Sequence, residues 1–259
     1  MVFRKFMQIV AFLFLVVLFS YLIFKGASNT GYNWQWFRVK RLFFEINEGK
    51  FIFGPLLKGL FVTFQISFFS FILTNIFGFI FGIFRTLNSF SARLIGYLYV
   101  EIFRNTPLLI QILFFYFVIA PVFNISAFWS AVIAISMFEG AYACEIIRAG
   151  IENVDKGQWE ASFSLGLNTF KTFIYIILPQ AVKTIIYPLI NIFVSLIKDS
   201  ALVSVIAIYD LTMQAQKAIS ETFMTFEIWI IVAFTYLIIN IIITLIIKIF
   251  HKKTLRGEK

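Results

Sequence analysis

The sequence predicts an all-α polytopic membrane protein with about six transmembrane helices. Hydrophobic residues make up 61% of the chain and charged residues only 14%, whereas soluble domains average roughly 45–50% and about 25%. A soluble core of this size cannot bury so much apolar surface, so the bilayer must be the solvent for most of the chain. One cysteine and one histidine exclude an intramolecular disulfide and a zinc site. Without a GxxxxGK[ST] phosphate loop, the chain is not expected to hydrolyse ATP.

Apolar runs of about 20 residues predict the helices in order. They are expected at roughly 6–24, 56–84, 95–120, 128–149, 181–206 and 228–250. The first run is longer than the about 7–15 residues of a cleaved signal peptide, so we expect a retained signal anchor. The predicted domains are a signal-anchor helix with an external loop (1–55), a transmembrane domain (56–250) and a cytoplasmic basic tail (251–259).

The net charge of +9 is interpreted as a topology signal and not as a nucleic-acid surface. Arg4 and Lys5 precede the first span, and five basic residues lie in or beyond the end of the last one. Because basic residues favour the cytoplasmic side, both termini are expected in the cytoplasm. One loop does not fit, since 25–58 should be external and yet carries six basic residues.

Residues 152–180 interrupt the apolar pattern. They fit two short helices, the first of which runs from about 156 to 165 and ends at Gly166, in a left-handed turn. Asn168 is the expected cap of the second helix, and Pro179 marks its end or a kink. From composition alone, the segment could be a plain amphipathic linker.

The spacing of Glu160-Ala161-Ser162, Gly166 and Ile176-x-Leu178-Pro179 resembles a family signature. That signature, E-A-A-x3-G-x9-I-x-L-P, belongs to permeases of ATP-binding-cassette importers, and Ser162 replaces its second alanine. Four more segments resemble the polar amino acid subfamily, which imports histidine, glutamine, glutamate or arginine. They are RNTPLLxQ at 104–111, GAYxxEIxR at 140–148, KGQWEA at 156–161 and SLxKDSxL at 195–202.

The resemblance, which covers about residues 56–250, implies the MetI-like fold of type I importer permeases in the cell inner membrane. It implies alternating access driven by separate ATPase subunits, with no cofactor in this chain. The other implied partners are an extracytoplasmic amino acid-binding protein and a second permease chain, in a homodimer or a heterodimer. The residues implied in ATPase coupling are Gly157, Glu160, Ala161, Gly166, Leu178 and Pro179.

Ionisable residues inside the predicted spans are candidate functional groups, because burying them in a bilayer is costly. In two pairs, an acid and a base lie three residues apart on one helix face and are expected to neutralise each other. They are Glu101 with Arg104 and Glu145 with Arg148.

Glu139 lies eleven residues into the fourth span, about 16 Å deep, and Lys198-Asp199 lies within the fifth. We assign Lys198, Asp199, Glu139 and Ser195 to the substrate path, which the Lys-Asp dipeptide lines in the resembling family. The alternative is purely structural, with a mutual Lys198–Asp199 pair and a Glu139 that is protonated or bonded to another helix.

Two other function classes compete with an importer permease. A secondary transporter or channel driven by an ion gradient would often show internal repeats, and the sequence contains no convincing one. A membrane enzyme would need a catalytic constellation, which we do not find. The transported amino acid stays open, because Glu139 and Asp199 suit a cationic one and Lys198 an acidic one.

Overall fold

A computed structural model describes the backbone of residues 2–29, 31–47 and 50–256. The chain divides into two compact units, Met1–Val39 and Lys40–Lys259. In the first unit, helix α1 spans Val2–Asn29 and contains a candidate membrane span, Met7–Gly26. Its side chains from Met7 to Gly26 are all exposed, as expected of a helix whose solvent is lipid. A short 3-10 helix, Trp36–Arg38, follows, and the Trp34 and Trp36 rings stack 5.8 Å apart.

The second unit is helical apart from one small hairpin among its described residues. Helix α2 (Val39–Phe43) leads into strands β1 (Phe44–Asn47) and β2 (Lys50–Phe53), which pair antiparallel with Phe44 opposite Phe53. The following helices are α3 (Pro55–Thr86), α4 (Phe90–Arg104), α5 (Leu108–Phe114), α6 (Ala120–Phe123), α7 (Ala127–Glu152), α8 (Lys156–Ser164), α9 (Thr169–Thr172), α10 (Leu178–Asp199), α11 (Leu211–Thr222) and α12 (Thr225–Arg256). The predicted all-α class is confirmed.

Five helical segments are long and apolar enough to cross a membrane, and a bent pair can form a sixth span. The five are Met7–Gly26, Pro55–Thr86, Ala127–Glu152, Thr169–Ile206 and Thr225–Ile249. They match the predicted first, second, fourth, fifth and sixth spans, although the fifth begins about twelve residues earlier than expected. That fifth segment ends in a 3-10 helix, Ser200–Ile206.

The predicted third span, 95–120, is wrong as a single straight helix. The structure has α4 and α5–α6 in its place, with a bend of 102° between them. Pro107 explains the break, because its ring disfavours helical geometry at the preceding residue and it has no N–H to donate. The Gln111 side chain closes the bend by donating to the Phe103 carbonyl (2.8 Å) and to the Thr106 hydroxyl (2.7 Å). Hydropathy missed the break because both halves are apolar.

Helices α3 and α7 form the tightest pair in this unit, and they run parallel. Thr74 donates from its hydroxyl to the Ser136 carbonyl at 3.5 Å, and one or two turns further on Gly78 lies against Ala143. Residue numbers rise together along both helices, which defines the direction. Small residues allow this close approach, as is common between membrane helices.

The buried core lies where α3, α5, α7 and α10 meet. Its members include Ile66, Ile112, Ile135, Ile147, Ile185 and Leu196, each 2% exposed or less. Many large apolar side chains of α12 are exposed instead, for example Leu237, Ile241 and Leu245. Exposed apolar surface of this kind fits contact with lipid.

Candidate functional site

A pair of carboxyl groups lies inside the core of the membrane unit. Glu139 on α7 is 7% exposed, and Asp199 is the last residue of α10. Their side chains lie within hydrogen-bonding reach of each other, and the charge of Lys198 acts on both. Among the described residues, no donor reaches the buried Oδ2 atom of Asp199. Two carboxylates in contact repel each other unless a cation or a proton lies between them, so this arrangement favours a positive group or a shared proton.

The end of α10 positions the other predicted residues of the substrate path. Ser195 lies one turn before Asp199 on the same helix face and is half-buried, whereas Lys198 is exposed. Within the described chain, no ion pair joins Lys198 to Asp199. The Lys198–Asp199 ion pair of the structural alternative is therefore absent, whereas the contact between Glu139 and Asp199 fits the interhelical bond that the same alternative gives to Glu139.

The second candidate region is the elbow, residues 155–180, between the membrane helices α7 and α10. Asp155 caps α8 by accepting from the Gly157 N–H at 2.6 Å. At the other end of α8, the N–H of Gly166 donates to the Phe163 carbonyl (2.9 Å) and that of Leu167 to the Ser162 carbonyl (3.1 Å). These two bonds define a Schellman motif. Gly166 has φ +76°, so the predicted left-handed turn is confirmed.

The elbow continues without a break into α10. The Asn168 side chain accepts from the Lys171 N–H at 2.9 Å, as predicted for a cap. A π-helical turn, 173–177, then joins α9 to α10, and Pro179 lies in the first turn of α10. Pro179 therefore does not end a helix. The wider π turn, with bonds to the fifth residue, accommodates the missing N–H.

The elbow is tied to the membrane helices on one side and presents apolar groups on the other. Gln180 Nε2 donates to Gln158 Oε1 at 3.2 Å, which links α10 to α8. Trp159 packs against the main core cluster. Apolar surface outside a span marks an interaction site, and Phe163 and Leu165, which precede the fifth candidate span, are 47% and 81% exposed. Phe170, 73% exposed, lies at the start of that span.

The predicted coupling residues lie on this elbow. Gly157, Glu160, Ala161 and Pro179 are exposed, as is Gly166, and Leu178 is half-buried. Sequence reasoning did not find Gln158 and Gln180, because glutamines 22 residues apart give no pattern that would pair them. Gln111 ends the RNTPLLxQ segment, but its role at the α4–α5 bend was not predicted, because the apolar pattern gave one straight helix there.

One of the two predicted neutralising pairs is present, and the other is wrong. Glu145 binds Arg148 at 2.9 Å, and it also binds Arg85 from α3. Sequence alone did not indicate Arg85, because its partner is 60 residues away on another helix.

Glu101 and Arg104 do not pair with each other. The Glu101 carboxylate accepts from Asn105 Nδ2 at 2.7 Å, and the Arg104 guanidinium lies over the Tyr142 ring, 4.9 Å from its centre. These neighbours compete successfully with the i,i+3 ion pair, which is worth only about 0.2–0.5 kcal/mol.

The candidate spans, with the parallel pair α3 and α7 and the elbow between α7 and α10, define a multi-pass membrane protein. Residues 74–256 match the family described as binding-protein-dependent transport system inner membrane component. The putative glutamine transport system permease of Rickettsia conorii is 40% identical over 200 residues, 76% of this chain and 92% of that protein. The L-cystine transport system permease of Bacillus subtilis is 40% identical over 205 residues, 78% and 87%.

Solved structures agree with this assignment. The crystal structure of an amino acid ABC transporter with histidines superposes with a TM-score of 0.71 at 35% identity, covering 77% of this chain and 94% of that one. A methionine ABC transporter in an inward-facing conformation has a TM-score of 0.67 at 16% identity, which supports the fold alone.

The chain belongs to the family of inner membrane components of binding-protein-dependent transport systems. The resemblance to permeases of amino acid importers and the MetI-like fold are confirmed. The chain is a multi-pass permease component and not the catalytic subunit of such a system. The family description implies that it works with a binding protein.

Proposed function

We propose that this permease carries a polar amino acid across the inner membrane, and that Glu139, Asp199, Lys198 and Ser195 line its path. The observation that carries the proposal is the contact between two carboxyls from different helices within the membrane unit. A charged cluster there is costly, and such clusters mark substrate pathways. The relatives whose names specify glutamine or cystine transport support an amino acid as cargo.

The cluster suits both ends of an amino acid zwitterion. The carboxyl pair attracts an ammonium group, since a cation between two carboxylates relieves their repulsion. The exposed Lys198 ammonium supplies a partner for the substrate carboxylate. Ser195, one turn away, adds a hydroxyl that can both donate and accept.

We further propose that the elbow, residues 155–180, docks in an ATPase subunit. Glu160, Ala161, Gly166 and Pro179 are exposed on this segment, together with the apolar side chains described above. Each chain has one such elbow, so an assembly with two ATPase subunits needs two permease chains, identical or related. ATP hydrolysis takes place in those separate subunits. With the elbow in the cytoplasm and six spans, both termini are also cytoplasmic.

Uptake by the reconstituted complex tests the substrate path. Competition among unlabelled amino acids, with L-glutamine and L-cystine included, first defines the cargo. Asp199→Asn and Glu139→Gln should each lower uptake about ten- to a hundredfold, the effect of losing a charged hydrogen bond of about 1.5–3 kcal/mol. The matched control is Glu221→Gln, since Glu221 is 62% exposed and lies 3.9 Å from Lys217.

A combined replacement separates a substrate role from a structural one. If Glu139 and Asp199 serve folding alone, replacing both with neutral amides removes their repulsion and should restore wild-type uptake and preference. If they contact the substrate, the double variant should insert normally but transport poorly or change its amino acid preference. Wild-type transport by the double variant would therefore exclude these residues from the path.

A further inference from the structure

A polar cavity, separate from the Glu139–Asp199 contact, lies beside the bend between α4 and α5. It has a volume of about 250 Å³ and is lined by Val100, Glu101, Arg104, Asn105 and Tyr142. Drug-sized ligands occupy pockets of about 300–1,000 Å³, so this cavity suits a smaller group. Its lining combines one acid, one base, one amide and one phenol.

The two charged groups in this cavity are left without charged partners. In the part of the chain that the structure describes, no carboxylate lies within ion-pair distance of Arg104, and no cation lies within that distance of Glu101. Asn105 holds the Glu101 carboxylate and the Tyr142 ring holds the Arg104 guanidinium. Each charge is thus fixed in place by a neutral neighbour.

Glu101 and Arg104 are exposed at the break of the candidate bent span, and unpaired charges at that place in a membrane are costly. Leu98 and Ile102, on the same helix, are 47% and 56% exposed, so the outer face of α4 is apolar. Ionisable groups at such a place in a membrane protein normally pair with something. A ligand with both signs of charge would neutralise Glu101 and Arg104 together.

We propose that this cavity binds a small zwitterion, with its ammonium group at Glu101 and its anionic oxygens at Arg104. An arginine fork binds carboxylate or phosphate oxygens with two parallel hydrogen bonds, and Glu101 accepts from an ammonium. Two sources share this chemistry, namely a free amino acid and the headgroup of phosphatidylethanolamine. If the ligand is an amino acid, the inference rests on the proposed function, and the cavity is a second binding site on the same translocation path.

The position of Tyr142 supports a second substrate-binding site on the translocation path. Tyr142 follows Glu139 by three residues on α7, about one turn or 4.5 Å closer to the elbow. An amino acid that moves from the carboxyl pair toward the elbow would therefore come to the level of the Arg104 cavity.

Stoichiometry tests the two sources with the complete complex in lipid nanodiscs. The probes are radiolabelled L-glutamine, L-cystine and L-arginine for the amino acid, and retained phosphatidylethanolamine, counted by native mass spectrometry, for the lipid.

Glu101→Gln keeps an acceptor for Asn105 and removes only the charge. Arg104→Gln removes the guanidinium, Arg104→Lys retains the positive charge, and Arg93→Gln removes an exposed charge elsewhere on α4 as the matched control.

If the ligand is an amino acid, the wild type binds two equivalents per permease chain. Glu101→Gln and Arg104→Gln then weaken the second equivalent at least about tenfold, whereas Arg104→Lys weakens it less and Arg93→Gln leaves it unchanged. If the ligand is lipid, one phosphatidylethanolamine per chain is retained and both neutralising variants lose it. Phosphatidylcholine should not replace it, because its quaternary ammonium has no N–H to donate to Glu101.

Three results would overturn the proposal. The first is that the second amino acid equivalent or the retained lipid stays bound in both Glu101→Gln and Arg104→Gln. The second is that the wild type binds neither a second amino acid equivalent nor a lipid. The third is that Arg93→Gln loses the ligand as fully as the two neutralising variants do. Glu139→Gln keeps the two proposals apart, because it should lower uptake about ten- to a hundredfold and weaken binding at the Glu139–Asp199 site without releasing a lipid from this cavity. If no ligand binds in the Arg104 cavity but uptake still depends on Glu139, the further proposal fails and the proposed function stands.

Discussion

The start of α11, which Asp210 caps, is bonded to α3 and α12. The Asp210 Oδ1 atom accepts from the Met213 N–H at 2.8 Å, and the next residue, Leu211, donates its N–H to the Thr63 hydroxyl of α3 at 3.2 Å. Thr212 shares a hydrogen bond of 3.2 Å with Tyr236 of α12. Burial raises the pKa of the Asp210 carboxyl to about 6, although the Met213 and Thr212 hydrogen bonds oppose that rise. Asp210 lies between the fifth and sixth spans and is fully buried.

The raised pKa of Asp210 predicts that stability falls as pH rises through about 4 to 6. The folded state holds this proton more tightly than the unfolded chain does, so its contribution is complete below the unfolded pKa and is lost above the folded one. At about 1.4 kcal/mol per pKa unit, the loss is at most roughly 3 kcal/mol.

Asp210→Asn should flatten that pH dependence, because asparagine still caps α11 and does not titrate. Thermal unfolding of the solubilised protein between pH 4 and 7 measures the slope. The control is Asp155→Asn, which makes the same change at the exposed N-cap of α8. A wild-type slope in Asp210→Asn would contradict this assignment.

A functional residue could be predicted from the sequence where its position deep within an apolar run was enough to single it out. An acid such as Glu139, far inside an apolar run, is visible in a hydropathy pattern. Its contact with Asp199 is not, because that depends on how α7 and the end of α10 are rotated against each other. The Glu101–Arg104 pair failed for a related reason, since the competing Tyr142 ring comes from another helix.

At the scale of an element, the end of α8 depends on Gly166 (φ +76°). Alanine there would cost about 1–2 kcal/mol in the left-handed region, and a Cβ would meet no atom within 4 Å. Gly166→Ala should therefore disturb the turn without a clash. We expect normal insertion, but reduced uptake and reduced stimulation of the ATPase by the loaded binding protein.

The matched control is Ser164→Ala, an exposed substitution in the last turn of the same helix. It should insert and transport like the wild type. Membrane abundance, uptake and ATP hydrolysis by the reconstituted complex are measured for both variants. Full uptake and full stimulation in Gly166→Ala would remove this turn from the coupling role.

Helix ends that depend on a few neighbouring residues were predicted correctly. Helix breaks were not predicted correctly where an apolar run favours a continuous helix and a proline disfavours it. The glycine at 166 and the cap at 168 act within three or four residues, so the sequence located both. At 95–120, a long apolar pattern outweighed Pro107, although the proline was visible. The π turn before Pro179 was also missed, because a proline predicts a disturbed helix without specifying which helical geometry replaces it.

For the whole membrane unit, the parallel arrangement of α3 and α7 determines how the bent pair must run. Both helices are candidate spans, and the contacts of Thr74 with Ser136 and of Gly78 with Ala143 show that they point the same way. The chain between two parallel neighbouring spans has to return across the membrane once. The α4–α6 segment is therefore one broken span and not a re-entrant loop. With α1 counted as a span, the total is six.

Six spans predict that the elbow and α11 lie on opposite sides of the membrane, since only the fifth span separates them. We expect Gln158→Cys to be labelled from the cytoplasm and Ser220→Cys from outside, because both positions are exposed. The background carries Cys144→Ala, and the buried Cys144 should itself react little. An impermeant maleimide applied to intact cells should label Ser220→Cys and reach Gln158→Cys only after permeabilisation. Labelling of both positions in intact cells would contradict the six-span arrangement, because a single span could not then separate the elbow from α11.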